Sequence, residues 1–214
     1  GPPVIDIYLG DCLSILPLLP KVDLVVTDPP YGIGFEYDGY EDTNENLVHL
    51  ITGLMPMAVS IANRVAIMPG ITQVYKYPPP TWIMACTWNT TGSFGKYGYS
   101  QWFPVLVYGE DLKGFGNVNG MTKTDCYKIN GGGGVGFMRS GDSEHTCPKP
   151  LNVIKWLVQR LSEQQSLLVD PFLGSGTTLV ACKELKRNGI GIEINERYCQ
   201  IAKTRLKNTI VPFL

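Results

Sequence analysis

Asp28, Pro29, Pro30 and Tyr31 stand in a row just behind the apolar run Val22 to Val26. Their types suit one kind of ligand. Asp28 offers a carboxylate acceptor, the prolines offer carbonyls on a stiff backbone, and Tyr31 offers a flat ring. A planar group with an amino substituent, such as a nucleobase, would find there acceptors for its N–H bonds and a surface to stack on. On their own these four residues fit an ordinary strand-to-loop turn equally well.

A second stretch carries a different chemistry. Asp170-Pro171-Phe172-Leu173-Gly174-Ser175-Gly176-Thr177-Thr178 follows the apolar run Leu167 to Val169. A tight turn at Gly174 and Gly176, with a helix opening at Thr177, gathers backbone N–H groups and a helix dipole that favour a negatively charged ligand group. Roughly 20 residues beyond such glycines, an acid at the tip of the next strand commonly binds ribose hydroxyls. Glu193 stands there, ending the run Gly189 to Ile194. The third glycine of the dinucleotide fingerprint is missing, with Leu179 nearest its place, which counts against a nicotinamide or flavin cofactor.

The elements that must position these residues follow from pattern. Ile5 to Leu9 reads as a strand ending at Gly10-Asp11-Cys12, and Leu13 to Leu19 as a brief helix closed by Pro20. Asp11 fits a helix N-cap as well as a ligand contact. The Val and Leu run before Asp28 reads as a buried strand that the prolines must stop. Gly32 to Thr43 has no period and is expected to be a mobile loop over the site. Leu47, Leu50, Ile51, Leu54, Ala58 and Ile61 share one helical face from Asn44 onward, with a bend expected at Pro56. Arg64 to Met68, Thr81 to Trp88 and Trp102 to Tyr108 read as strands, and Phe94, Tyr97 and Tyr99 between the last two are expected mostly to pack within a loop. Leu151, Ile154, Leu157, Val158 and Leu161 mark a later helix with Pro150 in its first turn. Asn195 is placed to cap a last helix on which Lys203, Arg205 and Lys207 form the wet face.

Composition sets bounds on all of this. A chain of 214 residues holds one α/β domain with a modest insertion. Net charge −1 gives no global attraction for a polyanion, so any nucleic-acid contact rests on local Lys and Arg. Six scattered cysteines and two histidines suggest neither a metal site nor a disulfide framework. No apolar run is long enough to span a bilayer, and a reducing, cytoplasmic setting is expected without membrane association. Gly109 to Glu144 fits no layer: its glycines and scattered cations suit a solvated insertion, or a segment that folds onto a phosphate backbone.

Taken together, Gly10-Asp11-Cys12, Asp28-Pro29-Pro30-Tyr31, His145 with Lys149-Pro150, the stretch from Asp170 to Thr178, and Gly191-Ile192-Glu193-Ile194 resemble the amino-group DNA methyltransferases that use S-adenosylmethionine. Within them the chain resembles the permuted (beta) class, whose catalytic segment precedes its cofactor segment. The resemblance spans roughly residues 5 to 108 and 145 to 208 and leaves out Gly109 to Glu144.

That resemblance implies a Rossmann-like methyltransferase fold of the α/β class: a mostly parallel sheet of about seven strands, helices on both faces and circularly permuted motif order. Residues 1–214 form one catalytic domain, with 109–144 an insertion for target recognition. The Asp170 strand should be central and beside the Asp28 strand. Asp28, Pro29, Pro30 and Tyr31 are the implied catalytic segment, with Asp28 also bordering the cofactor. Asp11, with Cys12, falls to the adenine side of S-adenosyl-L-methionine. Asp170, Pro171, Phe172, Gly174, Ser175, Gly176, Thr177 and Thr178 hold its methionine portion. Glu193, with Ile194 and Asn195, takes the ribose. His145, Lys149 and Pro150 match the segment at the carboxylate end, which in the family often reads His-Pro-Thr-Gln-Lys-Pro, whereas Thr146, Cys147 and Pro148 stand here in the middle.

The implied substrate is double-stranded DNA with the target base flipped out, as for enzymes of restriction-modification, and no metal is required. Asp at the first catalytic position goes mostly with adenine N6 in this family and Ser with cytosine N4. A cytosine-N4 or RNA amino-group enzyme would use the same pocket, and a DNA-binding relative without turnover is a further alternative. With so little chain left to read bases, a short target, a homodimer or a partner protein is expected.

Overall fold

The structure, a computed structural model, describes residues 1–37, 39–88, 94–112, 117–118, 121–122, 124–129 and 149–210. Its centre is a sheet of eight strands: β1 (Ile5–Leu9), β2 (Val22–Thr27), β3 (Ala62–Ile67), β4 (Trp82–Trp88), β5 (Trp102–Gly109), β6 (Cys126–Ile129), β7 (Leu167–Asp170) and β8 (Asn188–Glu193). In space they lie in the order β1-β8-β7-β2-β3-β5-β4-β6. Only β5 runs antiparallel to its neighbours.

Among the described residues five α-helices complete the layers: α1 (Cys12–Ile15), α2 (Asn44–Ile61), α3 (Leu151–Leu161), α4 (Thr177–Glu184) and α5 (Glu196–Asn208). Strand β2 shows why the sheet is buried on both sides. Leu24 and Val26 pack with α3 and α4, while Val25 packs with α2 on the opposite face. Such a strand reads as a nearly unbroken apolar run rather than an alternation. Thr43 starts α2 by accepting from Asn46 N, and Leu47, Leu50, Ile51, Leu54, Ala58 and Ile61 are all buried, as the spacing predicts. Each large aliphatic side chain hidden this way contributes roughly 1.5–3 kcal/mol. The helix runs through Pro56 to Ile61.

Strands β2 and β7 are direct neighbours, with Leu24 beside Leu168 and Val25 beside Val169. Because β1, β8, β7 and β2 are parallel, Leu9, Glu193, Asp170 and Thr27 all end on one edge. That edge carries the site.

Four expectations need correction. The sheet has an eighth strand, and it comes from the segment expected to stay outside the layers. Cys126–Ile129 pairs in parallel with β4, and Tyr127 stacks on Trp156 of α3 at 5.4 Å between ring centroids. Gly32 to Thr43 is fastened rather than loose. Glu36–Tyr37 and Tyr40–Glu41 pair, and Asp42, only 2% exposed, accepts from the N–H groups of Gly32, Ile33 and Phe35 at 2.6, 3.1 and 3.1 Å. Tyr97 is not packed within a loop as expected: it stands 94% exposed on the turn between Phe94–Gly95 and Gly98–Tyr99, and Tyr99, in the second of these paired strands, is 57% exposed. Pro150, expected in the first turn of α3, is its N-cap.

Candidate active site

Thr27 closes β2, and its hydroxyl donates to Asp170 Oδ1 at 2.9 Å. The two stretches singled out in the sequence are therefore stitched together one residue short of Asp28. A cavity of about 480 Å³ opens along this edge. Asp28, Pro30 and Lys149 line it together with Asp170, Gly174 and Glu193. Asp11 and Cys12 line it too, as do Pro171, Phe172, Ser175, Thr177 and Thr178, with Ile194 and Asn195 next to Glu193. Pro29, Tyr31, Pro150 and Gly176 are not among the residues that line it, and His145 falls outside the described residues.

Asp28 sits in a closed ring of hydrogen bonds. The Tyr31 hydroxyl donates to Asp28 Oδ1, and the Lys149 ammonium donates to Asp28 Oδ2 at 2.5 Å and to the Tyr31 oxygen at 2.6 Å. Such bonds to charged groups contribute about 1.5–3 kcal/mol each. The carboxylate still has acceptor sites to spare, because a carboxylate offers roughly four. Burial, then Asp28, pushes the Tyr31 phenol well above its ordinary range, so it stays a donor. Gly70, with φ +72°, lets the chain pass close to the Tyr31 ring: a Cβ there would stand 3.3 Å from it.

The glycine turn is held from three sides. Asp170 accepts from Thr178 Oγ1 at 2.6 Å and Phe172 N at 3.1 Å besides Thr27. All of these bonds stabilise the charged form, yet desolvation outweighs them and the carboxyl is pushed up to about 6. Glu193 accepts from Gly174 N at 2.8 Å and Asn195 N at 2.9 Å, one on each oxygen. Burial raises its pKa as well. Gly176 adopts φ +85°, and a Cβ there would lie 2.8 Å from that of Ala202 on α5. Only glycine combines that backbone with that approach.

Asp11 does what a helix cap does, accepting from Leu13 N at 3.1 Å and Ser14 Oγ at 3.0 Å, while also facing the cavity. The Cys12 thiol is pushed up to about 12 by burial and by Asp11, so it lines the wall as a neutral group. Asn195 caps α5 by accepting from Arg197 N at 2.9 Å.

Comparison with known proteins decides the family. The sequence model of the N6/N4 DNA methylases matches residues 87–204. This chain belongs to the N6/N4 DNA methylase family. The type II methyltransferase M.HpaI of Haemophilus parainfluenzae is 28% identical over 225 residues, covering 87% of this chain and 68% of that protein. The M1.HpyAVI–SAM complex superposes with a TM-score of 0.70 at 24% identity, covering 94% of this chain and 98% of its own. The cytosine-N4-specific PvuII DNA methyltransferase gives a TM-score of 0.69 at 14% identity over 96% and 87%. The last two are likenesses of fold.

Several residues of this DNA methylase escaped the sequence reading. Tyr37 and Tyr40 bring rings to the cavity from the paired segment anchored by Asp42. Asn46 and His49 reach it from the first turns of α2, where their spacing of three on the polar side was the available signal. Met68 joins them just past β3. Arg205, expected on a wet face, bends back to the glycine turn. Its Nη1 donates to Ser175 O at 2.8 Å and Ser175 Oγ at 2.6 Å.

Proposed function

We propose that this DNA methylase moves the methyl group of S-adenosyl-L-methionine to the N6 amino nitrogen of an adenine turned out of double-stranded DNA. One observation carries the reading: Asp28 and Pro30 share a single cavity with Gly174 and Glu193. A methyl donor lodged at the second pair lies within reach of an amine gripped at the first.

The residues present fit such a donor. The cavity is of the size that binds drug-sized ligands. Each Glu193 oxygen is fixed by one backbone N–H and keeps a lone pair for a ribose hydroxyl. The Tyr40 hydroxyl, buried in the cavity wall, has no partner among the described residues and suits a polar edge. The donor supplies a methyl on a positively charged sulfur, which leaves as a neutral thioether.

The protein's task is the amine. An exocyclic amino nitrogen is a poor nucleophile because its lone pair is delocalised into the ring. Asp28 and a carbonyl of Pro29 or Pro30 would accept its two N–H bonds in a geometry that favours pyramidal nitrogen and frees that pair. Fixed acceptors of this kind stabilise the transition state. Holding the reacting atoms in line contributes on the order of 7–11 kcal/mol in well-oriented systems. Turning the base out costs a few kcal/mol, and stacking on an aromatic ring returns about 1–3 kcal/mol. The extra proton left on nitrogen passes to Asp28 and on to water.

Adenine is favoured by Asp at the first catalytic position, in line with the family pattern. Cytosine N4 is the second reading, supported by the fold likeness to the PvuII enzyme. Mass spectrometry of nucleosides from DNA methylated by the protein tests both: N6-methyladenine is expected, and N4-methylcytosine alone would select the second. A reducing, cytoplasmic setting is supported by the free thiols of Cys12, Cys86, Cys126, Cys182 and Cys199.

A further inference from the structure

Lys149 lines the cavity beside Asp28, and its partners are unexpected. A lysine at the head of α3 that served the carboxylate end of the cofactor would be directed at the glycine turn. Its bonds go instead to Asp28 and Tyr31. The side chain is 12% exposed, and its ammonium also lies 5.7 Å from the centroid of Phe103. Burial against rings of this kind holds a cation in place, since a desolvated ammonium is costly to move from its counter-charge.

The ring of three bonds has a mechanical effect. Asp28 follows the last residue of β2 and is 28% exposed, so an unsupported carboxylate there would turn about its last torsion. With Tyr31 on one oxygen and Lys149 on the other, it cannot turn without breaking two charged bonds. The glycine turn has its own supports in Asp170, Glu193 and Arg205, and none of these bonds to Lys149 among the described residues.

From this we infer that Lys149 is a positioning residue for methyl transfer. It acts through Asp28 and Tyr31, locking the acceptor carboxylate in the plane that receives the target amine, and is not a ligand of the cofactor. The inference rests on the function proposed above. It adds a division of labour: the segment before α3 serves the base, although it lies next in sequence to the cofactor segment.

The test uses the full chain with Lys149→Met, Tyr31→Phe and the double variant. Each is measured for S-adenosylmethionine affinity by calorimetry, KM for DNA, and single-turnover methyl transfer at saturating cofactor. Lys149→Met is expected to slow the single turnover about 10- to 100-fold. Cofactor affinity and KM for DNA should stay within about threefold. The two changes release the same carboxylate, so the double variant should be little slower than the worse single one. A tenfold or greater loss of cofactor affinity with the saturated rate retained would overturn the inference, and so would losses that multiply. If Lys149→Met melts far below the wild type, Lys149→Leu, which likewise removes the donor to Asp28, takes its place in the same cycle. Failure of the wild type itself to methylate any DNA would remove the underlying function instead, a result distinct from either.

Discussion

Asp170→Asn should make the protein more stable at neutral pH, and the effect should fade in mild acid. Asp170 is 4% exposed, and burial lifts its carboxyl from 3.8 to about 6 in the folded state. Above that value the charge is carried in both states but costs more in the fold. The gap between 3.8 and about 6, at about 1.36 kcal/mol for each tenfold change in proton affinity, corresponds to roughly 3 kcal/mol. The sign follows directly. A carboxyl raised on folding binds its proton more tightly in the native state, so its contribution is fully present below pH 3.8 and is lost as pH rises through about 6. Asparagine keeps the shape, its oxygen can accept from Thr27 and Phe172 N, and the Thr178 hydroxyl can turn to accept from its amide. The assay is urea unfolding of both proteins from pH 4 to 7.5. The wild type should lose about 3 kcal/mol relative to the variant across that span, most of it between pH 4 and 6. A stability difference that stays flat with pH, or that favours the wild type increasingly as pH rises, would refute the reasoning.

Other substitutions probe other parts of the site. Asp28→Ala should abolish methyl transfer to radiolabel background while leaving calorimetric affinity for S-adenosylmethionine nearly unchanged; equal loss of both would place Asp28 on the cofactor instead. Asp42→Ala strips three backbone donors of their acceptor and should cost about 2–4 kcal/mol in urea unfolding, with faster proteolysis between residues 32 and 41. Unchanged proteolysis would show that the loop holds itself. Gly176→Ala forces a side chain into a left-handed backbone against Ala202 and should lower stability by at least about 1 kcal/mol. Relief by Ala202→Gly in the same protein would mark the contact as the cause, and no relief would leave the backbone angle.

Much of this was legible because the relevant patterns are local. The apolar run ending at Asp28, the six-residue face of α2 and the glycine turn before α4 each announce an element within a dozen residues. The adjacency of β2 and β7 is a long-range fact, and it was legible only through the order of two motifs. What escaped depends on partners distant in sequence. Cys126–Ile129 shows just Tyr127 and Ile129 as apolar residues, and its parallel pairing with β4 leaves no hairpin signal nearby. Asp42 reads as a polar loop residue until three N–H groups converge on it. Arg205 lies on the hydrophilic side of α5 by period, and only the close approach of α5 at Gly176 brings its guanidinium to Ser175. For Tyr31 the ring was the visible attribute, whereas in the fold its hydroxyl holds two charged neighbours.

The sheet order also bears on how the chain is made. Among the described residues β1 has a single neighbour, β8, whose residues leave the ribosome about 180 positions later, and one flank of β2 waits nearly as long for β7. Until then a growing chain carries Leu24, Val25 and Val26 on an open strand edge, an invitation to wrong partners. Synthesis slowed after residue 161 should therefore lengthen the window for aggregation, and chaperones that cover apolar strands should matter more to yield than any change on the finished surface.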